Sequence, residues 1–544
     1  MSDTRARVID AMKQHGLGGA AVAIVRRGEP AELEYIGVAD QLQRRAIDSN
    51  TVFRIASISK TMTSIGLMQL RDQGLFDLDD PVNKHLRTFR IEPPAGGADV
   101  TFRHLLTHTA GIGELPRVSD IGRRSSWGLG KPRTEPADLA AIYGGVLRPD
   151  VVAGSKWAYA NHGFAVIGQL VEDLSGQPFG AYMHEHVFAP LGMDSTEYTR
   201  TDRTDGRVAT GYHWMLGRFS SIKDYDLSIL APGSVLSSLP DMAIYAEWLL
   251  HGGAGLKTDV DVLRADTLAE MMSPQFSVHP GFPGMGLTFW LDRVGADDDE
   301  HRVAGHGGNV PGFASSLEVA PDDGIGVVVL VNTSSAVGAQ VMARSVLRSL
   351  LGVADAAAAP PRDVADNVHI WSELVGHYAP EPGFLTNARV WEMFGGEAQV
   401  ITRKRRLVIR SLSLLPELRR GLELRAVDES DPLRFEARIA GMVVPIAFER
   451  DTDASGMVDR VAIGPPGNVV LHRRSTLRSR RVRERIVLGA GAAVLLARLR
   501  RRRPTRRDPS RARPQRPRRL CGSRRRLPRP HRLRPRRHRL PRPR

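Results

Sequence analysis

Two pairs of strand-like segments, about 300 residues apart, constrain this chain most. Ala20–Val25 is an apolar run, and Leu33–Val38 follows it across turn residues, the pattern of a hairpin. Far downstream, Ser315–Val319 and Ile325–Val331 form a second pair, joined by Pro321–Asp322–Asp323–Gly324. Between them the apolar spacing turns helical. Ile58, Met62, Ile65 and Met68–Leu70 recur at three and four, and Phe164–Leu174 and Met242–Leu250 are further helical stretches separated by Gly/Pro-rich loops. A short amphipathic helix (Ala6, Val8, Ile9, Met12) precedes the first strand, and another, around Val337–Leu351, follows the last. Strands at both ends of a unit, with helices between, predict one sheet assembled from both ends, in a mixed α/β (α+β) unit over residues 1–353.

The rest of the chain divides by composition. Residues 354–365, opening ADAAAAPPRD, read as a linker. Across 366–474 the apolar period becomes two. Ala388–Trp391, Ala398–Thr402, Leu407–Ile409, Leu422–Ala426, Leu433–Ala437, Val443–Phe448 and Val461–Ile463 are strand candidates for a small antiparallel β domain. Residues 475–544 form a basic Arg/Pro-rich tail. From Leu499 onward 22 of 46 residues are Arg and nine are Pro, too little apolar surface to fold.

The net charge of +16 is therefore misleading. From Arg473 to the end there are thirty arginines against Glu484 and Asp508, a net +28, which leaves −12 for the first 472 residues. The body is acidic, so nucleic acid is not an expected partner of it. One cysteine, Cys521, excludes a disulfide scaffold. No apolar run reaches the ~20 residues of a spanning helix. The start, MSDTRARVIDAMKQHG, lacks the apolar core of a secretory signal, so the expected location is cytoplasmic. The apolar segment 486–497, IVLGAGAAVLLA, offers weak membrane association as the alternative.

Chemistry concentrates in three short motifs. Ser57–Ile58–Ser59–Lys60 is an S-x-x-K where the first strong helical pattern starts. Residues i and i+3 share a helix face, so an ammonium sits beside a hydroxyl. A second match, Ser220–Ser221–Ile222–Lys223, opens no apolar helix. Tyr159–Ala160–Asn161 is the only Y-x-N in the chain. His306–Gly307–Gly308 stands before the late strand pair, unlike the other H-x-G matches at His251 and His279. Taken alone, Ser57 reads as a helix N-cap, and the bland alternative for Tyr159 is a core tyrosine with a satisfied hydroxyl. The order of the three motifs points instead to a nucleophilic hydrolase.

With FRIASISK (Phe53–Lys60), LLTHTAGI (Leu105–Ile112), YANHGFAVIG (Tyr159–Gly168), APLGMDST (Ala189–Thr196) and GHGGNVPGF (Gly305–Phe313), the chain resembles the serine β-lactamase and penicillin-binding-protein superfamily. The likeness is to its class C-like branch of D,D-peptidases and family VIII-type esterases. It implies a mixed sheet flanked by helices, a helical lobe, and acyl transfer through a serine ester in the cleft between them. It implies Ser57 as nucleophile, Lys60 as the neighbouring cation or base, and Tyr159 as proton shuttle, since a cation beside a phenol favours the phenolate. Asn161 would hold Lys60 and the substrate carbonyl. The backbone N–H groups of Ser57 and Asn309 would form the oxyanion hole. Gly307 and Gly308 would let substrate lie along the strand. The 366–474 unit resembles the small lipocalin-like barrels appended to some of these proteins.

One departure bears on substrate. Where typical β-lactamases and D,D-peptidases carry K-T-G, this chain has His306–Gly307–Gly308, without a permanent cation and without the hydroxyl. That favours a small ester or amide over a β-lactam or D-Ala-D-Ala peptide. A catalytically silent relative that binds cell-wall fragments is the competing reading. No cofactor is expected, because neither a metal-ligand spacing nor a phosphate-binding glycine loop occurs. His108, Thr109, Trp157, Trp290 and His162 read as structural neighbours of the cleft.

Overall fold

The computed structural model describes residues 2–475, apart from 118–119, 121–122, 256–260, 296–299, 355–366, 382–396, 412, 414–415, 440–441, 452–455 and 466–467. The chain begins with α1 (Ser2–His15), then β1 (Gly19–Arg26), β2 (Glu32–Asp40) and the short β3 (Arg45–Ala46). The helical middle contains α2 (Ser59–Asp72), α3 (Asn161–Ser175) and α4 (Leu239–Leu250). Four strands follow, β4 (Trp290–Val294), β5 (His301–Val310), β6 (Phe313–Ala320) and β7 (Ile325–Val331), and then α5 (Ala336–Leu350).

These strands make a seven-stranded antiparallel sheet in the order β4-β5-β6-β7-β1-β2-β3. β1 pairs with β7, Ala20 opposite Val331 and Arg26 opposite Ile325, so the two ends of the unit meet at the centre of one sheet. Successive side chains of β1 face opposite ways, as the pleat requires. Ala20, Val22 and Ile24 pack with Val8 of α1 and Met342 and Val346 of α5. Ala21, Ala23 and Val25 join the larger core with Ile58, Met62 and Trp248.

α2 is buried on nearly every side, although it carries four hydroxyl residues. Two of them turn back on their own helix, Thr61 Oγ1 donating to Ile58 O and Ser64 Oγ to Lys60 O, which satisfies their polarity inside the core. α4 starts where Ser238 caps the N–H of Asp241 and a proline occupies the first turn.

The C-terminal sheet comprises β8 (Gly376–Ala379), β9 (Ala398–Arg403), β10 (Arg406–Ser411), β11 (Leu422–Glu423), β12 (Arg425–Ala426), β13 (Arg434–Ile439), β14 (Met442–Arg450), β15 (Val458–Ile463) and β16 (Val469–Arg474). Its order is β11-β10-β9-β8-β16-β15-β14-β13-β12. The two outermost strands are consecutive in the chain, with only Leu424 between them, so the sheet curls into a barrel-like form. Tyr378, Val400, Leu407, Val461 and Leu471 fill its interior. The strand expected at 388–391, the linker from 355, and the tail with its 486–497 segment lie outside the described residues. Among the described residues no helix is long and apolar enough to cross a membrane.

Candidate functional site

Ser57 lies in a 3-10 turn, Ala56–Ile58, that runs into α2. The α-helix itself starts two residues after Ser57, at Ser59. Ala56 has φ +50°, a left-handed backbone that a residue with a Cβ adopts at a cost. Side chains hold the turn in place. Ser59 Oγ donates to Ala56 O at 2.6 Å and accepts from Val235 N at 3.2 Å. Ser315 Oγ, from β6, donates to Ile55 O at 2.7 Å. The result is a serine only 8% exposed at the floor of a cleft.

Lys60 follows one turn later. Its Nζ lies 3.0 Å from Ser57 Oγ, 2.9 Å from Asn161 Oδ1 and 2.5 Å from Pro232 O. Three acceptors around one amine match the three donors of an ammonium. The side chain is fully buried, and Nζ also stands 4.9 Å from the ring centre of Tyr159 and 5.5 Å from that of Phe164. Asn161 can reach Lys60 because it is the first residue of α3, which packs against α2.

Tyr159 precedes α3 and is 3% exposed. His108 fixes its segment. Ala160 N donates to His108 Nδ1 at 3.2 Å, Ala158 N donates to His108 O at 2.8 Å, and the His108 ring packs 4.4 Å from the Tyr159 ring. His108 itself has φ +57°. It supports the tyrosine from behind, the structural role its surroundings in LLTHTAGI predict.

β5 forms the other wall. Its pairing with β4 stops at Trp290 opposite Gly305, so from His306 onward β5 is the outer strand, next to the Ser57 turn. Along it His306 and Gly308 are buried while Gly307 and Asn309 are exposed. The His306 ring stands 6.4 Å from that of Tyr159 and 6.2 Å from that of Trp290, with Nδ1 2.6 Å from Gly307 O. A cavity of about 240 Å³ brings together Ser57, Tyr159, His306, Gly307, Gly308 and Asn309. Lys60 reaches it through its hydrogen bond to Ser57, and Asn161 through Lys60.

Other sequence expectations divide clearly. Ser220 sits on an exposed hairpin strand opposite His213, where i and i+3 point to different faces. His162 is buried, bonded at Nδ1 to Tyr143 Oη (2.9 Å) and at Nε2 to Ser126 O (3.1 Å), and burial pushes its imidazole down to about 4. It is a core residue, not a member of the cleft. Trp157 packs on Trp290 at 5.4 Å beside Met285, while Trp290 borders the cavity. Ser59, Pro232 and Ser315 were not foreseen. Each acts through a backbone or hydroxyl contact between residues more than 150 positions apart, which no local pattern encodes. Among the described residues no group of His, Cys, Asp or Glu is placed to hold a metal ion.

The Beta-lactamase family model matches residues 4–351. "Protein flp" of Staphylococcus aureus (strain MW2) is 24% identical over 328 residues, 60% of this chain and 61% of that protein. "Putative penicillin-binding protein PbpX" of Bacillus subtilis (strain 168) is 27% identical over 251 residues, 46% of this chain and 59% of that protein. The chain thus spans about three-fifths of the length of these curated relatives. The structure of an octameric penicillin-binding protein homologue from Pyrococcus abyssi superposes with a TM-score of 0.56 at 21% identity. That match covers 86% of this chain and 99% of the other, a likeness of fold.

Proposed function

The chain belongs to the beta-lactamase family, whose members are mostly serine hydrolases, and from that premise we propose that it cleaves a small ester or amide through an acyl-enzyme on Ser57. The observation that carries the reading is Lys60 Nζ, buried and bonded at once to Ser57 Oγ and Asn161 Oδ1. A lysine confined there, with a tyrosine ring beside it, supplies a fixed positive charge where a proton must leave a hydroxyl.

In the proposed sequence, Ser57 Oγ attacks the substrate carbonyl carbon and its proton passes to the Tyr159 oxygen. The backbone N–H groups of Ser57 and Asn309 hold the oxyanion, an arrangement in which one donor is worth about 10²–10³ in rate. The bond to the leaving alcohol or amine breaks as Tyr159 returns the proton to it. Water then attacks the ester by the same route in reverse, releasing the acid and restoring Ser57. Esters are favoured because His306 and Gly307 replace the cation and hydroxyl that grip an anionic substrate.

The test is intact mass and turnover against a fluorophosphonate, p-nitrophenyl acetate, nitrocefin and a D-Ala-D-Ala peptide. The expected result is an adduct on the Ser57 peptide, lost in Ser57→Ala and kept in Ser220→Ala, with the ester turned over fastest. An adduct elsewhere overturns the nucleophile, and faster nitrocefin or peptide turnover overturns the ester preference.

A further inference from the structure

The cavity that holds Ser57 is not walled by the beta-lactamase-like unit alone. Met442 and Pro465, both from the C-terminal sheet, line it together with Trp290 and His306. Met442 opens β14, and Pro465 follows β15 after Gly464. Two sets of contacts fix them there.

The first set grips the segment leading to Trp290. Phe282 packs against Ala447 and Ala462, and Arg434 Nη2 donates to Gly281 O at 3.0 Å. Gly464 fits closely enough that a Cβ would lie 2.6 Å from Pro445 and 3.1 Å from Phe282. The second set grips the segment leading to Tyr159. Lys156 Nζ pairs with Glu381 at 2.6 Å, and Ala158 is buried in the core of the C-terminal sheet with Tyr378. One sheet is therefore anchored on the chain at Ala158, next to Tyr159, and at Gly281–Phe282, upstream of Trp290, and adds two residues to the lining of the cavity that Tyr159 and Trp290 share.

We propose that the C-terminal sheet is part of the substrate site, with Met442 as a specificity-determining residue that limits how long an apolar chain can extend past Trp290. This rests on Ser57 being the nucleophile. The substrate class it selects is short-chain acyl compounds. A cavity of about 240 Å³ lies below the ~300–1,000 Å³ usual for drug-sized ligands, and a thioether and a pyrrolidine ring add apolar surface to its lining.

The experiment uses the full chain and a series of O-alkyl fluorophosphonates with ethyl, butyl and octyl chains. In each, the Ser57 Oγ–P bond forms, the P–F bond breaks, fluoride leaves and the serine proton is lost to the site. Labelling rates are read by intact mass, with peptide mapping to locate the adduct. Met442→Ala is expected to raise the octyl-to-ethyl rate ratio about tenfold and Met442→Trp to lower it by a similar factor, the lower end of what one methylene is worth in an apolar pocket. Met442 is partly exposed at a strand end, so both variants should fold, which their thermal midpoints check. If Ser57 is labelled but the ratio stays within twofold of wild type in both variants, Met442 does not bound the site and the inference falls while the proposed function stands. If no probe labels Ser57 in the wild type, the proposed function falls and this inference with it.

Discussion

A Cβ on Gly308 would lie 2.3 Å from the carbonyl oxygen of Ile55, closer than real Cβ contacts come. β5 therefore meets the Ser57 turn backbone to backbone, and the turn's left-handed Ala56 sits within 3.1 Å of the same point. At Gly307, one residue away, a Cβ would find only Ser315 O, at 3.8 Å. Adjacent glycines that look alike in sequence do different jobs: one makes room for the Ser57 turn, the other leaves open space over the cleft.

Gly308→Ala should thus push β5 off the Ser57 turn. The expected cost is about 1–3 kcal/mol of stability, as for an overpacked core, with Ser57 labelling slowed on the order of a hundredfold. Gly307→Ala has room and should shift the thermal midpoint little. Melting curves and fluorophosphonate labelling of the two variants decide it, and equal effects would remove the distinction.

The substrate preference is checked at His306. His306→Lys combined with Gly307→Thr supplies a permanent cation and a hydroxyl, and a Cβ at position 307 meets nothing closer than Ser315 O at 3.8 Å. Nitrocefin and a D-Ala-D-Ala peptide should gain in kcat/KM relative to p-nitrophenyl acetate by about 1–2 kcal/mol, the worth of a charge-assisted contact. No relative gain would mean that the cleft does not present this position to an anionic group.

His162 gives a prediction for stability. Its ordinary value is 6.5, and burial holds it near 4 in the fold, so between those pH values the unfolded chain binds a proton that the folded chain refuses. Its neutral form contributes fully above about pH 6.5, and the contribution declines as pH falls towards 4, by on the order of 3 kcal/mol. Urea midpoints measured from pH 7.5 to 4.5 should fall more steeply for wild type than for His162→Asn, which does not titrate there. Parallel curves would show that His162 is not the group responsible.

Much of this architecture is written in local patterns. The continuous apolar runs at Ala20–Val25 and Ile325–Val331 announce strands buried on both faces, and the spacing around Met62 and Ile65 announces a helix, because those signals come from which faces are buried. β4 and β5 are not announced. β5 reads HRVAGHGGNV, where three glycines erase the alternation that marks a strand, and their reasons are not local: a Cβ at Gly308 would meet the Ser57 turn, one at Gly305 would meet Leu317 O of β6 at 2.1 Å, and Gly307 faces open space. The same holds for the site. Ser57, Lys60, Tyr159 and Asn161 are visible because S-x-x-K and Y-x-N are short. Pro232 and Ser315 are invisible because only folding brings a carbonyl at 232 to an amine at 60.

The pairing of β1 with β7 has a consequence for how the protein is made. Ala20 emerges from the ribosome some 310 residues before its partner Val331, an interval on the order of 15–60 s at ordinary synthesis rates. During that time one edge of a buried apolar strand has no neighbour, and the closing of so long a loop slows the final step. The nascent chain is thus a natural client for holding chaperones, and rapid overproduction should send it to inclusion bodies more readily than its folded stability would indicate.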